Sequence, residues 1–215
     1  EAISQAARVL AAAKNPVLVT RAVGKDAQAV PPLVALAELL GMPVIDAGGT
    51  YVNFPKSHPL YAVGDGGGAL GIADTVVVLE ADVPWTTSRS GPAAEAWIIG
   101  IGEDPLYSTY PVRGFHVDSN LAGSPRLTLE ALLTAIKEIG VDSAAVQARK
   151  KKFAKAARQR RDGLRESADA AQNETPISKA WFSRCLADVL DDSTILLNEL
   201  GVDLSLLEFD HPGTY

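Results

Sequence analysis

The segment Thr75-Val76-Val77-Val78-Leu79 limits the possible folds more than any other part of this sequence. It is short, bounded by Asp74 and Glu80, and apolar or β-branched throughout, so a strand built from it has no polar face to turn to water. Val17-Leu18-Val19, Val44-Ile45, Ala96 to Ile101 and Phe115-His116-Val117 are expected to be strands of the same kind. Helical periodicities lie between them. Ile3, Ala6, Ala7 and Leu10 share one face ahead of Asn15-Pro16. Pro31-Pro32 suits the first turn of a helix whose inward stripe is Leu33, Leu36, Ala37 and Leu40, and Gly41 is placed to cap it. Thr128 to Ile139 carries Leu129, Leu132, Leu133 and Ile136 at helical spacing. Strands buried on both faces, alternating with amphipathic helices, predict an α/β fold: a Rossmann-like parallel sheet with helices on both faces. Ligands of such a sheet gather beyond the strand carboxyl ends, where the strand order reverses.

The pattern changes after Gly140. Nine of the chain's 20 basic residues fall between Arg149 and Arg165, although the net charge is −6. Val146, Phe153, Ala157 and Leu164 form a thin apolar stripe among them, which predicts a linker helix lying along the surface of a domain. No aromatic or glycine interleaving of the kind typical of RNA or single-strand binders accompanies the charges, which argues against nucleic acid as a partner. Pro176-Ile177-Ser178 then opens another amphipathic helix, and Thr194 to Leu197 reads as an apolar strand. One helix and one strand bury too little apolar surface to offset their ordering entropy, so this segment is expected to rest on the upstream body or on chain beyond it. The expected division is residues 1–140 as a central Rossmann-like domain, 141–173 as the basic linker helix, and 174–215 as an incomplete second α/β unit.

Several functions are disfavoured by what the residues lack. No apolar run approaches the roughly 20 residues that span a bilayer, and no basic-then-apolar leader is present, so a soluble cytosolic protein without a membrane partner is expected. Cys185 is the single cysteine, which excludes an intrachain disulfide and a cysteine metal site. Its neighbours Trp181, Phe182, Leu186 and Val189 suggest a small buried residue. Gly66-Gly67-Gly68-Ala69-Leu70-Gly71 satisfies the dinucleotide pattern G-x-G-x-x-G, but only Ile72, Ala73 and Asp74 separate it from the next strand, leaving no room for the helix whose amides would meet a pyrophosphate. Gly64-Asp65-Gly66 has no asparagine partner between Phe54 and Asn120, so no metal ligands are assigned. His58, His116 and His211 stand beside no nucleophile, and no catalytic residue is assigned. The loop Asp82-Val83-Pro84-Trp85 follows a strand's carboxyl end, where ligand contact is favoured; its tryptophan is either a pocket wall or a ring folded back on the body.

Taken in order, Asn15-Pro16-Val17-Leu18-Val19-Thr20, His58-Pro59-Leu60-Tyr61, Ala73-Asp74-Thr75-Val76-Val77-Val78-Leu79, Asp82-Val83-Pro84-Trp85, Gly102-Glu103-Asp104-Pro105-Leu106 and Gly114-Phe115-His116-Val117-Asp118 resemble the central domain of thiamine diphosphate-dependent enzymes, in the arm of acetolactate synthase-like and benzoylformate decarboxylase-like proteins. Pro176-Ile177-Ser178, Leu197-Asn198-Glu199 and Pro212-Gly213-Thr214-Tyr215 resemble the opening of that family's cofactor-binding C-terminal domain.

The resemblance implies a parent that uses thiamine diphosphate and Mg²⁺ to decarboxylate or ligate 2-oxo acids, the cofactor serving as electron sink. The family's protonating glutamate and its metal ligands belong to regions this sequence lacks, so the chain alone is expected to be inactive. Its partners would be the remaining domains of the parent, in a homodimer or homotetramer. Within the chain, Glu199, Gly201 and Val202 match the turn that approaches the cofactor diphosphate, and Val83, Pro84 and Trp85 would lie at the substrate periphery. Thr20-Arg21-Ala22-Val23-Gly24 lacks the paired glycines with which some relatives hold FAD, which argues against FAD. Two readings from other classes are a free-standing nucleotide- or effector-binding α/β module and an interaction scaffold acting through the basic helix.

Overall fold

The computed structural model describes residues 1–48, 51–86, 91–191 and 193–212. Six parallel strands form one sheet in the order β3-β2-β1-β4-β5-β6. They are β1 (Pro16–Thr20), β2 (Val44–Asp46), β3 (Tyr61–Ala62), β4 (Thr75–Leu79), β5 (Trp97–Gly102) and β6 (Ser119–Ala122). β1 and β4 are buried at every position and lie side by side, with Val17 opposite Val76 and Val19 opposite Val78.

Strand alternation sorts the side chains into two cores. Leu18, Val77, Leu79, Ile99 and Ile101 face helices α1 (Ala2–Ala12), α2 (Val30–Leu40) and α3 (Pro125–Ile139), which supply Ala6, Leu10, Leu33, Leu36, Leu129 and Leu132. Val17, Val19, Val76, Val78 and Ile98 face the other way, under Ala69, Leu70 and Ala73 of a short 3-10 turn, Ala96, Trp85, and Phe153 of the long helix α4 (Ser143–Ala170). A side chain of this kind fully removed from water contributes about 1.5–3 kcal/mol, which is why unbroken apolar strands settle here.

Helix ends follow the local chemistry. Pro31 and Pro32 occupy the first turn of α2, and Gly41 closes it in the left-handed region at φ 58°. A Cβ on Gly41 would come within 2.7 Å of the Val146 carbonyl oxygen, so this glycine also lets α4 approach. Arg149 fastens that approach by donating to the carbonyl oxygens of Leu40 (2.6 and 3.1 Å) and Lys14 (3.2 Å). Asp142 caps α4 by accepting from the amides of Ala144 and Ala145. Along α4, Val146 and Ala157 are buried and Phe153 and Leu164 half-buried, the stripe expected from their spacing.

Three sequence expectations need correction. The last strand is Ser119–Ala122, not Phe115-His116-Val117, because the ladder starts only where Asp118 donates its amide to Ile98 O (2.9 Å) and accepts the Ile98 amide on its carboxylate (2.7 Å). Phe115 and Val117 pack as side chains just upstream. Thr194 to Leu197 forms no strand, having no ladder partner among the described residues. Cys185 is exposed, because α5 (Lys179–Ala187) packs mainly against α4 and buries only Ser183.

The tail rests on the upstream body. Leu207 and Phe209 pack against Val52, while Asp210 accepts from the Ser57 amide (2.9 Å) and hydroxyl (2.6 Å). Ile177, Val189, Ile195, Leu197 and Leu200 stay exposed, Leu197 at 93%. Of the closing motif, Gly213, Thr214 and Tyr215 lie outside the described residues.

Candidate functional site

Chain order runs outward from β1 in both directions, so the loops after β1 and β4 diverge at the carboxyl edge and leave the switch-point crevice. Its centre is Glu80, in the left-handed region at φ 47°. The Glu80 backbone joins three strand ends: its amide donates to Ile101 O (3.0 Å) and its carbonyl accepts from the Ala22 amide (3.0 Å). Its carboxylate pairs with Lys25 (3.1 Å) and accepts from the Glu103 amide (3.0 Å). Gly102 makes the room, since a Cβ there would stand 2.6 Å from Glu80 Oε1. The hydrogen bond to Glu80, working against desolvation, raises the Lys25 ammonium above its ordinary value.

A second group forms around Asp82. Arg21 Nε lies 3.6 Å from Asp82 Oδ1, and the Tyr110 hydroxyl donates to Asp82 Oδ2 at 3.0 Å. Desolvation pushes the Asp82 carboxyl upward, but the Val83 amide, Tyr110 and Arg21 together hold it below the usual carboxylate range. Beside it, Arg113 lies 5.0 Å from the Tyr107 ring centroid and 5.3 Å from that of Phe115. Desolvation, with the charges of Glu80 and Asp82, raises the Tyr107 phenol.

Within the Asp82–Trp85 loop, Val83 is exposed, Pro84 is buried, and half-buried Trp85 meets Phe115 edge-on at 5.5 Å. The tryptophan is folded back on the body. Asn53 is a buried organiser that sequence reasoning missed. Its Oδ1 accepts from the Gly24 amide (3.0 Å), and its Nδ2 donates to Arg21 O (2.8 Å) and Asp46 Oδ1 (3.2 Å). A polar residue between Val52 and Phe54, in a stretch with no helical or strand period, was its only signal.

Glu80 and Asp82 each hold a cation. Among the described residues no three histidine, cysteine, aspartate or glutamate side chains are grouped so as to hold a metal ion. The Gly64 to Gly71 loop is a turn with four glycines at positive φ, followed only by the 3-10 turn Leu70–Ile72. His58 pairs with Glu38 (3.4 Å) and accepts the Leu60 amide, and His116 pairs with Asp118 (2.9 Å).

Glu199, Gly201 and Val202 lie far from the crevice in sequence, on an irregular segment. Glu199 and Gly201 are exposed, and the Val202 amide donates to Asn198 Oδ1 (3.0 Å). With that amide engaged and no hydroxyl or cation on the bend itself, these residues do not by themselves form a diphosphate cradle.

A family model described as thiamine pyrophosphate enzyme, central domain, matches residues 3–132. Among solved structures, an enzyme from Mycobacterium smegmatis described as thiamin diphosphate-dependent is 30% identical, with a TM-score of 0.51, over 62% of this chain and 27% of its own. Benzoylformate decarboxylase from Polynucleobacter necessarius is 25% identical with a TM-score of 0.51, over 62% of this chain and 26% of its own. The chain therefore spans about a quarter of the length of these structures. No curated protein matches it significantly. With a six-stranded parallel Rossmann-like sheet and a family match over more than half its length, the chain belongs to the thiamine pyrophosphate enzyme family, through that family's central domain.

Proposed function

We propose that this chain is the non-catalytic central portion of a thiamine diphosphate-dependent 2-oxo acid decarboxylase or carboligase, of the acetolactate synthase-like and benzoylformate decarboxylase-like kind. Its role is architectural. Residues 1–140 form the spacer domain, 141–173 the linker, and 174–215 the beginning of the cofactor-binding domain. The observation that carries this reading is the switch-point crevice, whose carboxylates Glu80 and Asp82 are each held by a cation, inside a domain matched to the family's central one.

The parent acts in the cytosol as a homodimer or homotetramer, with thiamine diphosphate and Mg²⁺ held by its other domains. Bound there, the cofactor supplies the electron sink for loss of carbon dioxide from a 2-oxo acid. The residues of this chain take positioning roles. Val83 and Pro84, with Trp85 braced on Phe115, border the substrate from the carboxyl edge of the sheet. Glu199, Gly201 and Val202 reach the diphosphate only once the rest of the cofactor domain orders their bend.

Calorimetric titration of thiamine diphosphate with Mg²⁺ separates the alternatives. The 215-residue chain gives no binding heat, whereas a polypeptide continued on both sides into the parent binds. Micromolar affinity in the short chain would overturn the architectural role.

A further inference from the structure

A cavity of about 280 Å³ opens at the outer edge of the sheet, between α4 and the turn that follows β3. β2 separates β3 from β1, so the cavity is distinct from the switch-point crevice. One wall belongs to α4. Phe153, Ala156, Ala157 and Arg160 recur at three- and four-residue steps, which places them on a single helix face, and all four line the cavity. Tyr61 lines it from the strand side, and Gly67 stands at its rim, where an added Cβ would meet nothing within 4 Å.

Arg160 is the one charged side chain lining this cavity among the described residues. It is half-buried, and its guanidinium forms neither an ion pair nor a hydrogen bond with them. Its carbon stands 5.4 Å from the Tyr61 ring centroid. A ring contact of this kind leaves the five N–H donors, which lie in the guanidinium plane, without an acceptor. Burial lowers Arg160 below its ordinary value, Tyr61 opposes and Arg161 reinforces, and no carboxylate figures among the charges that act on it. A bound carboxylate would supply both the acceptor and the counter-charge, through paired bonds that are strongest where water is scarce. The volume falls just short of the roughly 300–1,000 Å³ of pockets for drug-sized ligands, and the remaining walls are aromatic and aliphatic, so the rest of the occupant is one compact apolar group.

We propose that this cavity binds a small monocarboxylate, its carboxylate held by the Arg160 fork and an apolar body about the size of a phenyl ring packed against Phe153 and Ala157. Phenylacetate, its neutral isostere phenylacetamide, and acetate are titrated separately into the isotope-labelled 215-residue chain and followed by amide chemical shifts. Saturable binding of phenylacetate is expected, with a Kd of about 1 mM or tighter. Phenylacetamide, which lacks the charge, and acetate, which lacks the apolar body, bind about tenfold more weakly or not at all. Arg160→Met weakens phenylacetate about tenfold, the loss of its one charge-assisted contact. Ala156→Leu, at an exposed helix position that tolerates the larger side chain, fills the cavity and weakens it by at least as much. Arg158→Met, on the solvated side of α4, leaves the affinity unchanged. The proposal is overturned if phenylacetate does not saturate, if either control ligand matches it, or if its affinity survives Arg160→Met or Ala156→Leu. Neither thiamine diphosphate nor Mg²⁺ enters this titration, so its outcome is independent of the architectural role.

Discussion

Asn53→Ala is the substitution that most directly tests how the switch point is held. Asn53 is fully buried and makes three hydrogen bonds: from the Gly24 amide, to Arg21 O, and to Asp46 Oδ1. Alanine removes all three and leaves the Gly24 N–H enclosed without an acceptor. An orphaned buried amide costs about 1–3 kcal/mol, and each other lost bond about 0.5–1.5 kcal/mol, so a loss of about 3 kcal/mol is expected. At roughly 2–4 °C per kcal/mol for a chain of this size, the melting temperature falls by about 6–12 °C. Urea unfolding followed by far-ultraviolet circular dichroism measures the same quantity as a shifted midpoint at unchanged slope. Asn53→Asp is the companion. It keeps the acceptor for Gly24 but sets a second carboxylate 3.2 Å from where Asp46 accepts, so its folded carboxyl titrates above the unfolded value. The destabilisation is then full at neutral pH and recedes as the pH falls toward about 4. If Asn53→Ala unfolds within about 0.5 kcal/mol of the unsubstituted protein, the range of an ordinary surface change, the side chain does not hold the turn and the reasoning fails.

Further outcomes follow from single sites. Gly24→Ala places a Cβ 2.3 Å from the Val52 carbonyl oxygen and costs about 1–3 kcal/mol by urea unfolding, whereas Gly163→Ala, with nothing within 4 Å in the middle of α4, gains about 1 kcal/mol. Equal effects at the two glycines would contradict the packing described. Leu33→Ala, at a fully buried position under the sheet, lowers stability by about 2–5 kcal/mol in the same assay, and a loss below that range would place it outside the core. Asp118 is pushed up by desolvation but held below the usual carboxylate range overall by the Ile98 amide and His116, so its stabilisation is complete above about pH 4 and is lost as the pH falls through the lower folded value. Asp118→Asn should therefore flatten the acid side of a melting temperature against pH profile, and an unchanged acid side would refute the linkage.

Strand and helix identity was legible in the sequence wherever burial is imposed on every side. Thr75 to Leu79 can only be a doubly covered strand, and Pro31-Pro32 through Gly41 carries its own start and stop, so local chemistry was enough. The final strand was displaced because Ser119-Asn120-Leu121-Ala122 has little intrinsic strand character and is held by the ladder to β5, a partner distant in sequence. Thr194 to Leu197 fails for the opposite reason: its residues favour a strand, but no neighbour pairs with it among the described residues.

The candidate sites divide in the same way. The sequence placed the Asp82–Trp85 loop at a strand's carboxyl end and the basic residues on one helix, because position along the chain and helical period are local properties. Only tertiary structure turned Trp85 onto Phe115, brought Asn53 beneath the β1 turn, and set Arg161 on the Ser57 carbonyl, more than a hundred residues away. Those arrangements depend on which surfaces meet once the apolar faces are buried, and a hydrogen bond or a charge pair between distant residues leaves no period in the sequence to read.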